Sequence, residues 1–167
     1  MCILDPVALA SSVDAAFLRP APPIEVVVEL GHPDLGGEQA FQCYAAKFLD
    51  CADPAVFYAR AVGLSWADSY VVDGRAFPGL DAVAPADLKC AAYLEIRQDI
   101  LLCSDPTPPA AATVALEDLS ESLASAFDLR GVLPAIRVQE VVSDWNWKRF
   151  LWATGTCWVM AEWSTTA

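Results

Sequence analysis

The first apolar positions of the chain repeat with the period of an α-helix. Asp5-Pro6 is typical of a helix N-cap followed by proline in the first turn, where proline costs no hydrogen bond. Apolar side chains then recur every four residues, at Leu9, Val13 and Phe17. The pattern predicts a first helix that ends before Pro20.

Between residues 24 and 30 the pattern changes to alternation. Apolar side chains occupy every second position, while Glu25 and Glu29 occupy positions between them. This period of two predicts a half-buried strand. The residues from Gly31 to Asp34 are typical of a turn.

Two further helices and a short strand are predicted before residue 75. After Gly36-Gly37, five apolar residues share one face at helical spacing and predict a second helix. These residues are Phe41, Tyr44, Ala45, Phe48 and Leu49. Asp53-Pro54 repeats the cap signature and predicts a short third helix through Ala61. The residues from Ser69 to Asp73 favour a short strand.

Pro85 begins the longest helix that the sequence predicts, and one face of this helix is apolar. The apolar face contains Leu88, Ala92, Ile96, Ile100 and Cys103. Residues 104–113 hold three prolines in the four positions from Pro106, which favours an extended connection. Another amphipathic helix is predicted over residues 116–127.

The C-terminal pattern is that of three strands, over residues 136–142, 147–153 and 157–163. Glycine in the short polar break Thr154–Thr156 indicates a hairpin, although a helix over Trp145–Trp152 is an alternative for the middle run. We therefore predict an α+β fold, with N-terminal helices packed on a C-terminal antiparallel, curled sheet. Residues 1–167 are expected to form a single domain, with 104–113 as an internal connection.

The net charge of −12, on a chain that is 56% hydrophobic, indicates an acidic surface around an apolar core. Residues 1–60 carry 8 acids and 3 bases, residues 61–120 carry 9 and 3, and residues 121–167 carry 5 and 4. Such a field repels nucleic acid and anionic membranes and attracts basic partners. No apolar run reaches the roughly 20 residues of a membrane span, and no signal-like N-terminus is present, so we expect a cytoplasmic protein.

The six cysteines favour free thiols over disulfides or metal ligands. They are Cys2, Cys43, Cys51, Cys90, Cys103 and Cys157. No two have the separation of roughly two to four residues that is typical of a zinc site, and the expected compartment is reducing. Cys43, Cys90 and Cys157 lie in apolar periodic segments, where we expect buried thiols. We predict no metal site and no cofactor.

Motifs of common enzymes are missing. His32, the only histidine, lies two residues from Asp34 and forms a possible general base, but the same residues suit an exposed turn. The segment from Gly63 to Ala67 lacks the second glycine of a nucleophile elbow. Gly36-Gly37-Glu38 lacks the Lys-Ser/Thr of a phosphate-binding loop. The sequence therefore gives little support to a hydrolase or a nucleotide-dependent enzyme.

Five of the six tryptophans fall within residues 145–163. They suit the core of a sheet, the wall of a pocket for a small apolar ligand, or a docking surface for a protein. The pocket or docking aromatics are Trp66, Trp145, Trp147, Trp152, Trp158 and Trp163. The basic pair Lys148-Arg149 between them is too small for a nucleic-acid platform.

Two parts of the chain resemble the NTF2-like (SnoaL-like) cone-fold superfamily. The first is the predicted helix Ala40–Leu49, the break Cys51–Pro54 and the helix Ala55–Ala61; the second is Leu123–Arg130 followed by Val138–Trp163. Together they cover about half the chain. The resemblance implies a helix layer on a curled sheet that encloses a pocket, and it carries over no catalytic residue.

Our leading hypothesis is a non-enzymatic inhibitor, of the immunity or antitoxin type, that masks a basic partner protein. Its binding surface would consist of acids at helix starts and faces, because acidic clusters speed association with a basic site. These acids are Glu38, Asp50, Asp53, Asp68, Asp73 and Asp87.

The alternative is a small cone-fold enzyme, an isomerase, cyclase or dehydratase, that binds an apolar metabolite between the tryptophans. Such chemistry needs only one acid/base pair in a dry pocket. Its candidate catalytic residues are His32, Tyr58, Asp68, Tyr70 and Asp73. A third possibility is an adaptor subunit that docks through its tryptophan-rich end.

Overall fold

Three helices and five strands make up the described part of the chain. The fold comes from a computed structural model that describes residues 3–31, 39–72, 84–102 and 137–165. The elements are α1 (Pro6–Ala16), β1 (Glu25–Gly31), β2 (Gln39–Lys47), α2 (Pro54–Val72), α3 (Pro85–Leu102), β3 (Arg137–Ser143), β4 (Trp147–Ala153) and β5 (Cys157–Thr165).

The strands form one antiparallel sheet in the order β1-β2-β5-β4-β3. The pairing of β2 with β5, from Gln39 opposite Thr165 to Lys47 opposite Cys157, joins strands from the two ends of the chain. Both outer strands contain a register shift, between Val26 and Val28 in β1 and between Glu140 and Val142 in β3. Because such bulges bend a strand and increase its twist, they account for the curl of the sheet. The predicted α+β fold is confirmed.

The helices cover one face of this sheet. Alternate residues of the central strands, such as Tyr44, Leu151 and Met160, join one buried cluster with apolar residues of all three helices. The helical members include Leu9 and Val13 of α1, Phe57 and Val62 of α2, and Leu88 and Ile96 of α3. The residues between these on β2, β4 and β5 face the other side of the sheet and are buried as well. The centre of the sheet is therefore buried on both faces.

Elements whose signals are local agree with the sequence prediction. The Val7 N–H donates to Asp5 Oδ1 at 2.9 Å, which confirms the predicted cap of α1. Strand β1, helix α3, the final three strands and the hairpin at residues 154–156 also lie where they are predicted. Leu88, Ala92 and Ile96 form a buried face of α3.

The predicted second helix is wrong, because Gln39–Lys47 is strand β2. This strand lies between β1 and β5, and four consecutive residues from Cys43 to Ala46 are buried. A strand buried on both faces loses its polar alternation, and a short apolar run then resembles one side of a helix. In the structure Tyr44 and Ala45 face opposite sides of the sheet.

The predicted short strand at Ser69–Asp73 is also wrong through residue 72, since α2 continues to Val72. At 19 residues α2 is longer than α3, which has 18, so the helix from Pro85 is not the longest. Gly63 allows α2 to pass close to its neighbours: a Cβ there would lie 2.7 Å from Phe17 Cζ and 3.2 Å from the Leu88 carbonyl oxygen. The strand propensity of Tyr70-Val71-Val72 does not decide the local structure, since these residues continue the helix.

Of the three thiols that are predicted to be buried, two are buried and one is exposed. Cys43 and Cys157 are buried free thiols, as predicted, whereas Cys90 is exposed, because it lies on the side of α3 away from the core.

The connection at 104–113 and the helix over 116–127 lie outside the described residues. Within the described ranges, no helix combines the length and apolar character needed to cross a membrane.

Candidate functional site

The turn between β2 and α2, residues Lys47–Asp53, presents an almost fully exposed leucine. We call this segment the Leu49 turn. The Leu49 side chain is 97% exposed. Asp50 and Asp53 on the same turn are exposed as well. Large apolar side chains that face water in isolation are common, but one flanked by charges on a fixed turn suits a partner surface.

Backbone hydrogen bonds fix the shape of the Leu49 turn. The N–H groups of Asp50 and Cys51 both donate to the Lys47 carbonyl oxygen at 3.0 Å, which closes the turn after β2. The Phe48 N–H donates to the Thr156 carbonyl oxygen at 2.8 Å. The turn is therefore joined to the hairpin between β4 and β5.

Trp158 packs against the Leu49 turn and donates a hydrogen bond to it. Its indole N–H donates to the Cys51 carbonyl oxygen at 3.0 Å, and its ring centroid lies 4.6 Å from that of Phe48. The Trp158 side chain is buried, so the predicted docking aromatic is a support of the surface rather than part of it. Burial, together with the charge of Asp53, raises the pKa of the Cys51 thiol to about 11. Cys51 is thus a neutral packing residue at pH 7.

The neighbouring hairpin is held by Thr154. Its hydroxyl oxygen accepts from the N–H groups of Thr156 at 3.1 Å and of Cys157 at 2.8 Å. The Thr154 N–H donates in turn to the Cys157 carbonyl oxygen at 2.9 Å. These hydrogen bonds within the hairpin fix its shape, and the hairpin borders the Leu49 turn.

An apolar groove of about 390 Å³ lies between the turn and this hairpin. It is lined by Lys47, Phe48, Leu49, Gly155 and Thr156. The isobutyl group of Leu49 therefore protrudes into solvent beside the concave apolar surface of the groove. This arrangement can interdigitate with apolar side chains of another protein while the acids contact its rim.

The structure brings together only part of the predicted acidic set. Asp50 and Asp53 share the Leu49 turn, and Asp53 Oδ1 also accepts from the Ala55 N–H at 2.8 Å as the cap of α2. Asp87 is exposed in the first turn of α3. Asp68 lies in α2 with its side chain outside the described set, and Glu38 and Asp73 fall outside the described residues.

A second polar feature, a buried charge network, lies between the helix layer and the sheet. Arg149 of β4 is 1% exposed and pairs through Nε with Glu162 Oε1 at 2.6 Å. Its Nη2 contacts the same carboxylate oxygen and donates to Glu95 Oε2 of α3 at 2.9 Å. The Ser65 hydroxyl of α2 donates to Glu162 Oε2. The network thus connects β4 and β5 to both α2 and α3.

Aromatic rings complete the surroundings of Arg149. Its Cζ lies 4.7 Å from the Trp147 ring centroid and 6.0 Å from that of Tyr58. A guanidinium removed from water is stabilised by ring faces as well as by carboxylates. Tyr58, a candidate catalytic residue of the enzyme hypothesis, is fully buried in this layer.

The network was not predicted from the sequence, where Arg149 stands beside Lys148 as half of a basic pair between the tryptophans. Two signals were present. Arg149 has the same parity on its strand as Trp147 and Leu151, which places it on the core side. Once the hairpin is fixed, Arg149 and Glu162 are direct cross-strand partners.

The remaining predicted aromatics with described side chains differ in their exposure to water. Trp66 and Trp147 are half-buried, and Trp145 is 73% exposed in the turn between β3 and β4. Trp152 and Trp163 lie in β4 and β5 with side chains outside the described set.

The other candidate catalytic residues are also largely outside the described residues. His32 and Asp73 fall there entirely, and Tyr70 lies in α2 with its side chain outside the described set. Among the described residues, no three His, Cys, Asp or Glu side chains are grouped so as to hold a metal ion. Comparisons with protein-family models, with curated proteins and with solved structures found no match for this chain.

Proposed function

We propose that this chain is an acidic binding protein that docks on a basic partner protein through the Leu49 turn. The observation that carries the proposal is a 97% exposed leucine on a turn that also carries the exposed carboxylates of Asp50 and Asp53 and that accepts a buried hydrogen bond from Trp158. An apolar side chain at the centre of a contact supplies affinity, and charges at its rim supply speed of association and specificity.

The rigidity of the Leu49 turn supports this function. Trp158 and the Thr154 hairpin hold the turn in one shape before any partner arrives. A binding surface that is already ordered loses less conformational entropy on association. The turn therefore suits tight, specific binding.

The excess of acids favours a basic partner. Arg149 is buried against Glu162 and Glu95, and Lys89 pairs with Asp14, whereas Lys47 is an exposed cation that lines the groove. The net charge of −12 attracts a positively charged surface. An inhibitor of the immunity or antitoxin type in the cytoplasm, which masks a basic site on its target, is the function that this surface fits best.

Capture from source-cell lysate tests the proposal with matched variants. The tagged wild-type protein should retain a basic protein that a salt step releases. Leu49→Ala and Asp50→Lys should each lose most of that protein, because the first removes the apolar contact and the second inverts the charge at its rim. Leu94→Ala is the control, since Leu94 is an exposed leucine (57%) on α3, away from the turn.

Equal recovery by wild type and Leu49→Ala would contradict docking through the turn. Recovery of no basic protein by any variant would contradict the binding function altogether. In that case the alternative, a small enzyme acting on an apolar metabolite, would gain support. The buried network of Ser65, Glu162, Arg149 and Glu95 would then supply its polar groups.

A further inference from the structure

A cleft with two arginines lies where the end of α1, the middle of α2 and the start of α3 meet. Its volume is about 560 Å³, and it is lined by Phe17, Arg19, Pro20, Ala21, Arg60 and Pro85. Within the described ranges, two arginines and no acidic residue contribute to this lining. These described lining residues carry positive charge, whereas the net charge of the chain is −12.

Arg60 in this cleft lacks the partners that a half-buried cation needs. Its Nε is buried and makes no hydrogen bond, and among the residues that the structure describes no carboxylate pairs with it. The ring of Phe17 lies beneath it, with the centroid 5.0 Å from Cζ. Burial lowers the pKa of the Arg60 guanidinium, as expected for a cation without a counter-charge.

The surroundings of Arg149, the same type of side chain, differ from those of Arg60. There a ring face is joined by two carboxylates, Glu162 and Glu95. At Arg60 the ring face is present, and no carboxylate of the described residues takes the place of Glu162 and Glu95. Removing a charge from water without a partner is costly, so an anion entering the cleft would contribute the missing interaction.

We propose that this cleft binds a small organic anion, with its charged group between Arg19 and Arg60 and its apolar body against Phe17 and the two prolines. Arginine presents a planar set of donors that matches carboxylate and phosphate oxygens. The volume lies within the range of roughly 300–1,000 Å³ that is usual for small-molecule sites. This site is independent of the Leu49 turn.

Titration calorimetry with phenyl phosphate, benzoate and inorganic phosphate tests the site. Phenyl phosphate and benzoate should bind the wild-type protein at one site, and inorganic phosphate should bind more weakly because it has no apolar body. Benzyl alcohol, which keeps the ring and lacks the charge, should not bind.

Variants at the two arginines locate the binding. Arg19→Gln and Arg60→Gln should each weaken phenyl phosphate binding by about tenfold, the effect of losing one charge-assisted hydrogen bond. Arg97→Gln, an exposed arginine of α3 outside the cleft, is the matched control and should leave the affinity unchanged. Arg19 is exposed, so Arg19→Gln remains informative even if Arg60→Gln disturbs folding.

Two results would overturn the proposal. One is the absence of saturable binding of both aromatic anions, and the other is unchanged affinity in Arg19→Gln. Leu49→Ala should bind phenyl phosphate as the wild type does, so failure of the docking proposal and failure of the cleft proposal are separate outcomes.

Discussion

The carboxylates of the interior and those of the Leu49 turn have opposite surroundings. Glu162 is buried, faces Arg149 across the β4–β5 pair and accepts from Ser65. Asp50 is exposed on a turn whose fixed geometry comes from backbone groups and from Trp158. The first carboxylate holds elements of the fold together, and the second leaves its charge available to another molecule.

The contrast shows that a net charge of −12 is not a single property of this molecule. Some acids compensate internal cations, and their neutralisation should damage the fold. Others face water without a structural partner, as Asp50 does, and their neutralisation should change only what the protein binds. Asp53 also faces water but caps α2, so its removal should affect the fold as well.

Glu162→Gln should cause the largest loss, about 3 kcal/mol of unfolding free energy, because it leaves Arg149 buried without its main counter-charge. Urea denaturation measures the change. Glu95→Gln is the matched control: its side chain is 32% exposed and it contacts only one edge of the guanidinium, so about 1 kcal/mol is expected. Equal, small losses would show that the network does not hold the layers together.

Gly63→Ala should have an intermediate effect on the helix layer that carries Ser65 and Glu95. The new methyl group meets Phe17 Cζ at 2.7 Å, and overpacking of this kind costs about 1–3 kcal/mol. Alanine recovers up to about 1 kcal/mol of helix propensity, so a net loss of up to about 2 kcal/mol is expected in thermal unfolding. Adding Phe17→Leu should restore part of it, and a gain in stability with Gly63→Ala alone would contradict the close helix approach.

The two acids of the Leu49 turn should differ from each other. Asp53→Ala removes the cap of α2 and should cost about 1 kcal/mol, because the Ala55 N–H loses its acceptor. Asp50→Ala should change the unfolding free energy by less than about 0.5 kcal/mol, as an exposed side chain without a structural role. A loss at Asp50 as large as at Asp53 would move Asp50 into the structural group.

The parts of the fold with local signals were predictable from the sequence. The caps at Asp5 and Asp53 mark the beginnings of α1 and α2, and the apolar spacing from Leu88 to Ile96 marks α3. Strand β2 was not, because its pairing with β1 and β5 involves residues of other elements, and its burial on both faces removes the polar alternation of a strand. The close approach at Gly63 likewise involves Phe17, a residue more than 40 positions earlier in the chain.

The candidate sites were predictable only in part. The sequence placed Asp50 and Asp53 on a binding surface, but the exposure of Leu49 follows from contacts of Phe48 and Cys51 with Trp158, more than 100 residues later in the chain. In the predicted helix Leu49 was part of the buried face. The cleft at Arg60 is formed by the segment after α1 together with α2 and α3, and it has no signature in any one of them.

The most direct test of docking through the Leu49 turn is the affinity of the captured basic protein for the wild-type and Leu49→Ala chains, measured at low and high salt alongside their unfolding free energies. We expect Leu49→Ala to weaken binding about 30-fold, the effect of a hot-spot side chain worth about 2 kcal/mol, while stability stays unchanged. The affinity of the wild type should fall as salt screens the acids around Leu49. Equal affinities for the two chains, or an affinity insensitive to salt, would contradict the account.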